Sequence, residues 1–139
     1  MAGTSTPIYP QTLKNYVVQI ANADASTLKT LVTGATNGTK IECINVTTTD
    51  TTARDVQLYI TISAVDYLLG TVNIPANSGN TNALVSVNLL TALNFPSCAV
   101  DANGNRYVYV ANGATLRVSS LTTVTSAKVI NFVASGGDF

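Results

Sequence analysis

The amino-acid sequence predicts an all-β protein built as an antiparallel sandwich or barrel. Along the 139 residues, eight or nine short segments rich in β-branched and aromatic residues alternate with turn residues. No segment has the length and the 3.6-residue periodicity of a long helix. These patterns do not choose between a jelly roll and an immunoglobulin-like strand order, because that choice depends on the connections.

Three strands are predicted in the first part of the chain. The second can also be drawn as a short helix, but the turn residues that follow it favour a strand. The apolar pattern of the third slips by one residue near Cys43, which predicts a β-bulge. The three strands are YVVQIA (16–21), TLKTLVT (27–33) and TKIECINVTT (39–48).

The clearest strand is RDVQLYITIS (54–63), in which apolar and polar residues alternate. YLLGTVNI (67–74) follows after a link at Ala64–Asp66, which predicts a hairpin. In the first of these strands the residues predicted to face the core are Val56, Leu58, Ile60 and Ile62.

Four further strands are predicted in the second half, with turns at DANGN (101–105) and at Asn112-Gly113. Gly136 and Gly137 of the closing SGGDF predict a flexible exit from the last strand. Leu116 and Val118 are predicted to face the core. The four strands are ALVSVNLL (83–90), RYVYVA (106–111), ATLRVSS (114–120) and AKVINFVA (127–134).

The chain is predicted to form a single sandwich domain at residues 15–139, preceded by an extended N-terminal arm at residues 1–14. Two prolines bracket Ile8 and Tyr9 in this arm and disfavour a helix. Apolar residues in such an arm need a surface to lie on, which either the domain itself or a neighbour can supply.

The composition argues against an enzyme. Charged residues make up only 10% of the chain, the net charge is zero, and histidine and tryptophan are absent. Without histidine, Ser–His–Asp triads and most zinc sites are excluded. We therefore expect no catalytic site, no metal and no cofactor. The two cysteines, Cys43 and Cys98, are expected to be reduced thiols.

Charge and hydropathy also bear on the partners. The seven basic residues are scattered along the chain, whereas nucleic-acid binding requires them to cluster. No apolar run approaches the roughly 20 residues of a membrane span, and the first residues lack the features of a signal peptide. We expect neither a nucleic acid nor a membrane as partner.

The residues that we expect at an interface lie in three short segments. Tyr107 and Tyr109 alternate with valines, so the two rings share one face of a strand. They are read either as a subunit contact or as a platform for a sugar, and a carbohydrate-binding module stays open as an alternative. The other expected contact residues lie in the arm and in the tail; they are Ile8, Tyr9, Asp138 and Phe139.

Several phrases of the sequence resemble the capsid decoration, or cement, proteins of tailed bacteriophages, and in particular those of short-tailed Bordetella phages. The resemblance runs from about residue 28 to the end and rests on structural motifs, such as a strand pair and a closing Gly-Gly-Asp-Phe. The phrases are LVTGATNGTKIECINVT (31–47), TTARDVQLYITI (51–62), YLLGTVNIPA (67–76), NFPSCAVDANGNRYVYVANGATLRVSS (94–120) and TTVTSAKVINFVASGGDF (122–139).

This resemblance implies a sandwich of jelly-roll type that is made in the host cytoplasm and joins the surface of an assembled virion capsid. It implies the major capsid protein as partner, held together with its neighbours by the bound protein. It also implies self-association, with a homodimer favoured and a homotrimer as the alternative. A component of the tail or its fibres is a further reading. The resemblance carries over no catalytic residues.

Overall fold

A computed structural model describes residues 9–139, and their regular structure is almost entirely β. Within these residues the only helical segment is a 3-10 turn at Asn22–Asp24. The strands are β1 (Thr12–Ala21), β2 (Lys29–Thr33), β3 (Thr39–Thr48), β4 (Arg54–Ile62), β5 (Val65–Ile74), β6 (Val87–Asn88), β7 (Ala99–Val100), β8 (Arg106–Val110), β9 (Thr115–Ser120) and β10 (Val129–Asp138).

The strands form two antiparallel sheets. The six-stranded sheet has the order β1-β10-β3-β8-β7, with β6 also pairing with β3, and the four-stranded sheet has the order β2-β9-β4-β5. Apolar side chains from both sheets share one buried cluster, which includes Ile44 and Phe132 of the first sheet and Val32 and Leu116 of the second. This arrangement confirms the predicted all-β antiparallel sandwich.

The bulge and the hairpin predicted around β3 and β4 are confirmed, but the predicted link at Ala64–Asp66 is wrong, because Val65 and Asp66 already belong to β5. Ser135 pairs with Cys43 and Gly136 pairs with Ile41, so Glu42 is the extra residue of a bulge beside Cys43. β4 and β5 form a hairpin, and its two-residue turn at Ser63 and Ala64 has positive φ angles of 52° and 63°. Positive φ at both turn positions matches the twist of the flanking strands.

The predicted strand at 83–90 is much shorter in the structure, where β6 covers only Val87 and Asn88. The Asn88 side chain explains this early end. Its Oδ1 accepts hydrogen bonds from the backbone N–H groups of Ile44 (3.2 Å) and Leu90 (3.1 Å). The Asn88 side chain thus replaces a backbone acceptor for the N–H of Ile44, whereas the carbonyl oxygen of Ile44 still accepts a 2.9 Å bond from the backbone N–H of Leu89. The two-residue strand β7 is one that the sequence analysis did not predict.

The flexible exit predicted at Gly136 and Gly137 is wrong. Both glycines lie in β10, which pairs with β1 on one side and with β3 on the other. A Cβ atom at Gly136 would lie 1.9 Å from the carbonyl oxygen of Lys40, so this position needs glycine for close approach of the backbone at the bulge. β1 begins at Thr12, so the last three residues of the predicted arm belong to the sheet.

The β4–β5 hairpin is buried along only part of its length. Val56 and Leu58 of β4 are in the core, as predicted, whereas Ile60 is half-buried and Ile62 is 46% exposed. Ile62 pairs with Val65 and Ile60 pairs with Tyr67, so these four side chains share the inner face of the sheet. We call these four residues the hairpin tip, and the opposite sheet leaves most of it uncovered.

Candidate interaction surface

The structure brings together four of the six residues expected at an interface. Tyr9, Tyr107, Tyr109 and Phe139 line one pocket of about 360 Å³, and we call these four residues the aromatic patch. They come from both ends of the described chain and from β8. Ile8 lies outside the described residues. The two outermost rings are those of Tyr9, which is 70% exposed, and Tyr109, which is 50% exposed.

The two tyrosines of β8 point away from the core. Val110 is fully buried and Val108 packs against the core, so the alternating Tyr107 and Tyr109 lie on the outer face. Lys40 belongs to β3 and pairs with Tyr109 across the two strands. Its Nζ lies 4.8 Å from the centroid of the Tyr107 ring, which is a cation–π contact. The patch therefore has one positive group at its margin.

Tyr109 is held against the last residue of the chain and against a glycine turn. The centroids of the Tyr109 and Phe139 rings are 6.1 Å apart and the ring planes are tilted by 51°. The backbone N–H of Phe139 donates a 3.1 Å hydrogen bond to the carbonyl oxygen of Gly38. Gly38 has a φ of +93°, and a Cβ atom there would lie 2.2 Å from the Tyr109 hydroxyl oxygen. Glycine at this position thus leaves the room that the Tyr109 ring fills.

Asp138, the remaining residue expected at the interface, is buried and bonded within its own chain. Its carboxylate accepts 2.7 Å hydrogen bonds from the hydroxyl groups of Tyr16 and Thr39 and forms a 2.5 Å ion pair with Lys14. The Lys14 ammonium, followed by the two hydroxyl groups, lowers the pKa of Asp138 to about 2. Burial and then the bond to Asp138 raise the pKa of Tyr16 to about 12. Asp138 therefore joins β1, β3 and β10 and is not a free contact group.

A second buried carboxylate, that of Asp50, lies just before β4, at the end of this strand away from the hairpin tip. Asp50 has no exposed surface; its oxygens accept bonds from Arg54 Nε (2.8 Å), from Thr125 N (3.0 Å) and Oγ1 (2.8 Å), and from Thr52 N (3.0 Å). Burial alone would raise the pKa of Asp50, but these donors outweigh it and hold the pKa well below its usual range. A carboxylate so fully bonded serves structure, since it has no site left for a substrate.

An apolar groove of about 440 Å³ opens beside the hairpin tip, between the two sheets. It is lined by Leu58 and Ile60 of β4, Leu69 of β5 and Val108 of β8, and by residues 94–99. None of its lining side chains is charged. Tyr107 and Tyr109 line both this groove and the pocket of the aromatic patch, so only β8 separates the two.

Residues 9–139 contain no group of three or more His, Cys, Asp and Glu side chains placed to hold a metal ion. In the same part of the chain, no helix has the length and apolar character needed to span a bilayer. Cys43 and Cys98 are free thiols, and burial raises the pKa of Cys43. Five of the seven basic residues form ion pairs with carboxylates in the described structure.

Sequence reasoning missed the residues that complete the aromatic patch. Lys40 contacts Tyr107, Gly38 makes room for Tyr109, and Asp101 lines the shared pocket. The role of each of these residues depends on which strands are neighbours in the sheet. Only Gly38, a glycine in a turn between two strands, could have been recognised from the sequence. The chain matches no protein-family model, and a comparison with curated proteins finds no match to its sequence.

Proposed function

We propose that this protein is a structural component of a virion, which binds the outside of an assembled phage capsid and cements neighbouring major capsid proteins. The resemblance of its sequence to phage decoration proteins suggests this role, and the aromatic patch is the observation that carries it. Three tyrosines and a phenylalanine, of which Tyr9 and Tyr109 are exposed, form an aromatic group bordered by Lys40 and Asp101, and aromatic residues of this kind are enriched at protein interfaces.

The stabilisation would act through mass action. A protein that binds the assembled shell but not its separated subunits shifts the equilibrium towards the shell. A standard contact buries about 800 Å² on each partner. A homodimer, favoured over a homotrimer, would engage two sites on the shell and so raise the effective concentration at the second site. The virion surface is then the final location of the protein, after its synthesis in the host cytoplasm.

The strand order supports the jelly-roll form of the sandwich. In one sheet the order is β1-β10-β3-β8, and in the other it is β2-β9-β4-β5. Between β1 and β4, and again from β8 to β10, each successive strand lies in the other sheet. This division of eight main strands between two facing sheets supports the proposal of a double Greek key, as in a jelly roll.

The test measures binding to purified shells that lack the protein. Replacing Tyr109 with alanine removes one of the two most exposed rings of the patch, and we expect about 30-fold weaker binding, as for an interface hot spot of about 2 kcal/mol. Tyr67→Ala is the matched control, because Tyr67 is a tyrosine of nearly equal exposure outside the patch. Copy number per particle, from quantitative gels, gives the second readout, and hundreds of copies are expected.

Two results would overturn the proposal. The first is the absence of binding to any shell by the unaltered protein, and the second is a count of only a few copies per particle. The second result would favour a component of the tail or its fibres. Equal losses for Tyr109→Ala and Tyr67→Ala would reject the aromatic patch as the contact, even if the shell were bound.

A carbohydrate-binding role is the second proposal, and the pocket of the aromatic patch favours it. Exposed tyrosine rings can stack on a sugar, and Asp101 lines the same pocket as a hydrogen-bond acceptor. The amides of Gln11 and Asn37 lie beside Tyr109 and Phe139. A glycan array tests this role: hits that Tyr109→Ala abolishes support it, and an array without hits removes it.

A further inference from the structure

The six-stranded sheet ends in an unprotected edge at β1. Among the described strands β1 pairs with β10 alone, in continuous register over all ten of its residues. The strands at the other ends of the two sheets discourage further pairing, because β7 has two residues, β2 has five, and the ten-residue β5 is interrupted by a bulge at Leu69. β1 contains no proline, and its one charged side chain, Lys14, already forms an ion pair with Asp138. β1 is therefore the edge best suited to receive another strand.

The backbone groups at this edge belong to alternate residues of β1. The carbonyl oxygen of Gln19 accepts a 2.7 Å hydrogen bond from Nζ of Lys29, which lies on β2 of the other sheet, so this carbonyl points away from β10. Every second residue of a strand points its N–H and C=O to the same side. Leu13, Asn15 and Val17 therefore present theirs at the free edge. Their side chains lie on the outer face, where Leu13 is 83% and Val17 is 69% exposed.

The sequence of β1 is complementary to itself about Asn15. The stretch QTLKNYVVQ (11–19) begins and ends with a glutamine and has an asparagine at its centre. If two such strands pair antiparallel with Asn15 at the middle, Leu13 lies opposite Val17 of the second copy. The two Asn15 amides then face each other, and each offers both a donor and an acceptor. Like charges do not meet, because Lys14 lies opposite a tyrosine. A second copy of this chain is therefore a matching partner for this edge.

We propose that β1 pairs antiparallel with β1 of a second copy across a twofold axis at Asn15, so that the two six-stranded sheets become one continuous sheet. The same surface is used by both copies, which is the isologous interface of a twofold dimer. This pairing deepens the proposed function, because it rests on the homodimer proposed there and names the surface that forms it.

The pairing turns both aromatic patches to the same side. Leu13 pairs with Gly137 of β10, which pairs with Lys40 of β3. Lys40 in turn pairs with Tyr109 of the patch. Directly paired residues lie on one face of a sheet, so Leu13 and Tyr109 share the outer face. A twofold axis between antiparallel neighbours is perpendicular to their sheet and keeps the outer faces of both copies on one side. The two patches thus face one shell surface together, as bivalent binding requires.

Sedimentation equilibrium measures the association without any shell. We expect the unaltered protein to exchange between monomer and dimer in a concentration-dependent way. Val17→Lys places an ammonium group in the apolar contact with Leu13 of the second copy, and it should weaken the dimer by at least about tenfold. The matched control is Val85→Lys, because Val85 is an exposed valine outside β1. This control should leave the dimer unchanged.

A second substitution tests the register of the pairing. Leu13→Glu added to Val17→Lys places a carboxylate opposite each lysine of the second copy, so the double variant should regain the dimer that each single variant loses. Within one chain these two positions are about 13 Å apart along the strand, so their charges are too distant to pair in the monomer. Failure of the double variant to recover the dimer would reject the axis at Asn15.

Cysteine cross-linking locates the axis independently. In a chain with Cys43→Ser and Cys98→Ser, Asn15→Cys places two thiols at the axis, where directly paired Cα atoms lie about 5.5 Å apart and a disulfide can form. Gln19→Cys is the control, because in this register its two Cα atoms lie about 26 Å apart. We expect linked dimers on a non-reducing gel from the first variant and none from the second. Equal linking by both variants would overturn the proposal.

The failure of this interface and the failure of the proposed function give different results. A protein that is monomeric at every concentration, a trimer, or a dimer that Val17→Lys leaves intact would overturn the pairing of β1. None of these three results prevents a single aromatic patch from binding a shell. Dimers formed through β1 together with no binding to any shell would instead reject the proposed function and support this interface.

Discussion

The two ends of the β4–β5 hairpin have the same alternating pattern but opposite environments. At the base, Val56 and Leu58 are almost completely buried, and the Asp50 cluster closes the end of the strand. At the tip, Ile62 and Val65 lie on the same inner face but remain about half exposed. The difference lies in the opposite sheet, which covers the base and leaves the tip open. Alternation therefore identifies which face points inward but not how far the facing sheet extends.

The largest expected effect comes from Asp50 at the base. Asp50→Ala should lower the free energy of unfolding by about 3–5 kcal/mol, because it leaves the mostly buried Arg54 guanidinium without its carboxylate. Urea unfolding measures the loss. The control at the tip is Asp66→Ala, which removes a more exposed 3.3 Å ion pair with Arg117 and should cost less than about 1 kcal/mol. Equal losses for the two variants would contradict the proposed difference between base and tip.

Leu58→Ala at the base should lower the free energy of unfolding by about 3 kcal/mol. The side chain is 1% exposed between the two sheets, so its removal leaves a cavity as well as losing apolar burial. The midpoint of urea unfolding should fall while the slope stays the same. A loss below about 1 kcal/mol would mean that the base is as loosely packed as the tip.

Acid should lower the free energy of unfolding gradually, and by a smaller amount than these substitutions, because it protonates the hydrogen-bonded carboxylates. In the unfolded chain an aspartate has a pKa of about 3.9, whereas in the folded protein the pKa of Asp138 is about 2 and that of Asp50 is well below its usual range. The unfolded state therefore binds protons first as the pH falls. The contribution of Asp50 and Asp138 to the free energy of unfolding should be constant above about pH 5. It should decline as the pH falls from there to about 2.

Urea unfolding between pH 7 and pH 2 checks this dependence on acid. Asp138→Asn should make the decline shallower, since the amide cannot titrate and keeps one oxygen as an acceptor for Tyr16 and Thr39. A decline equally steep in the variant and in the unaltered protein would exclude Asp138 as a source of the acid sensitivity.

The smallest effect is expected for Ile62→Ala at the tip. About half of this side chain is already in water, so we expect a loss of about 0.5 kcal/mol or less. Thermal or urea unfolding measures it beside Leu58→Ala. A loss above about 2 kcal/mol would show that the tip is covered in solution.

Much of the fold could be predicted because strand pattern and turn chemistry agree locally. The bulge at Glu42 appeared as a slip in the apolar pattern beside Cys43. The β4–β5 turn lies between two strands that are both recognisable in the sequence. The short β6 could not be foreseen, because the Asn88 side chain substitutes for a backbone partner only once β3 lies beside it. The end of β10 was misjudged for a similar reason, since its glycines serve close contact and not freedom.

The aromatic patch could be predicted only in part. Alternation in RYVYV places Tyr107 and Tyr109 on one face, as the structure has them. Their meeting with Tyr9 and Phe139 depends on β1, β10, β3 and β8 being neighbours in that order. Asp138 was also expected as a contact residue, but its carboxylate accepts hydrogen bonds from Tyr16 and Thr39 of its own chain.

The position of β10 has a consequence for how the chain reaches its native state. Among the strands of the described residues β10 comes last, yet it lies between β1, the first of them, and β3. During synthesis β1 and β3 lack the strand that lies between them until β10 has left the ribosome, so β1 has no neighbour in the sheet before then. Pairing between such distant segments is slow because a long loop must close first. We therefore expect this sheet to complete its folding only once β10 is available, on a timescale of about milliseconds to seconds.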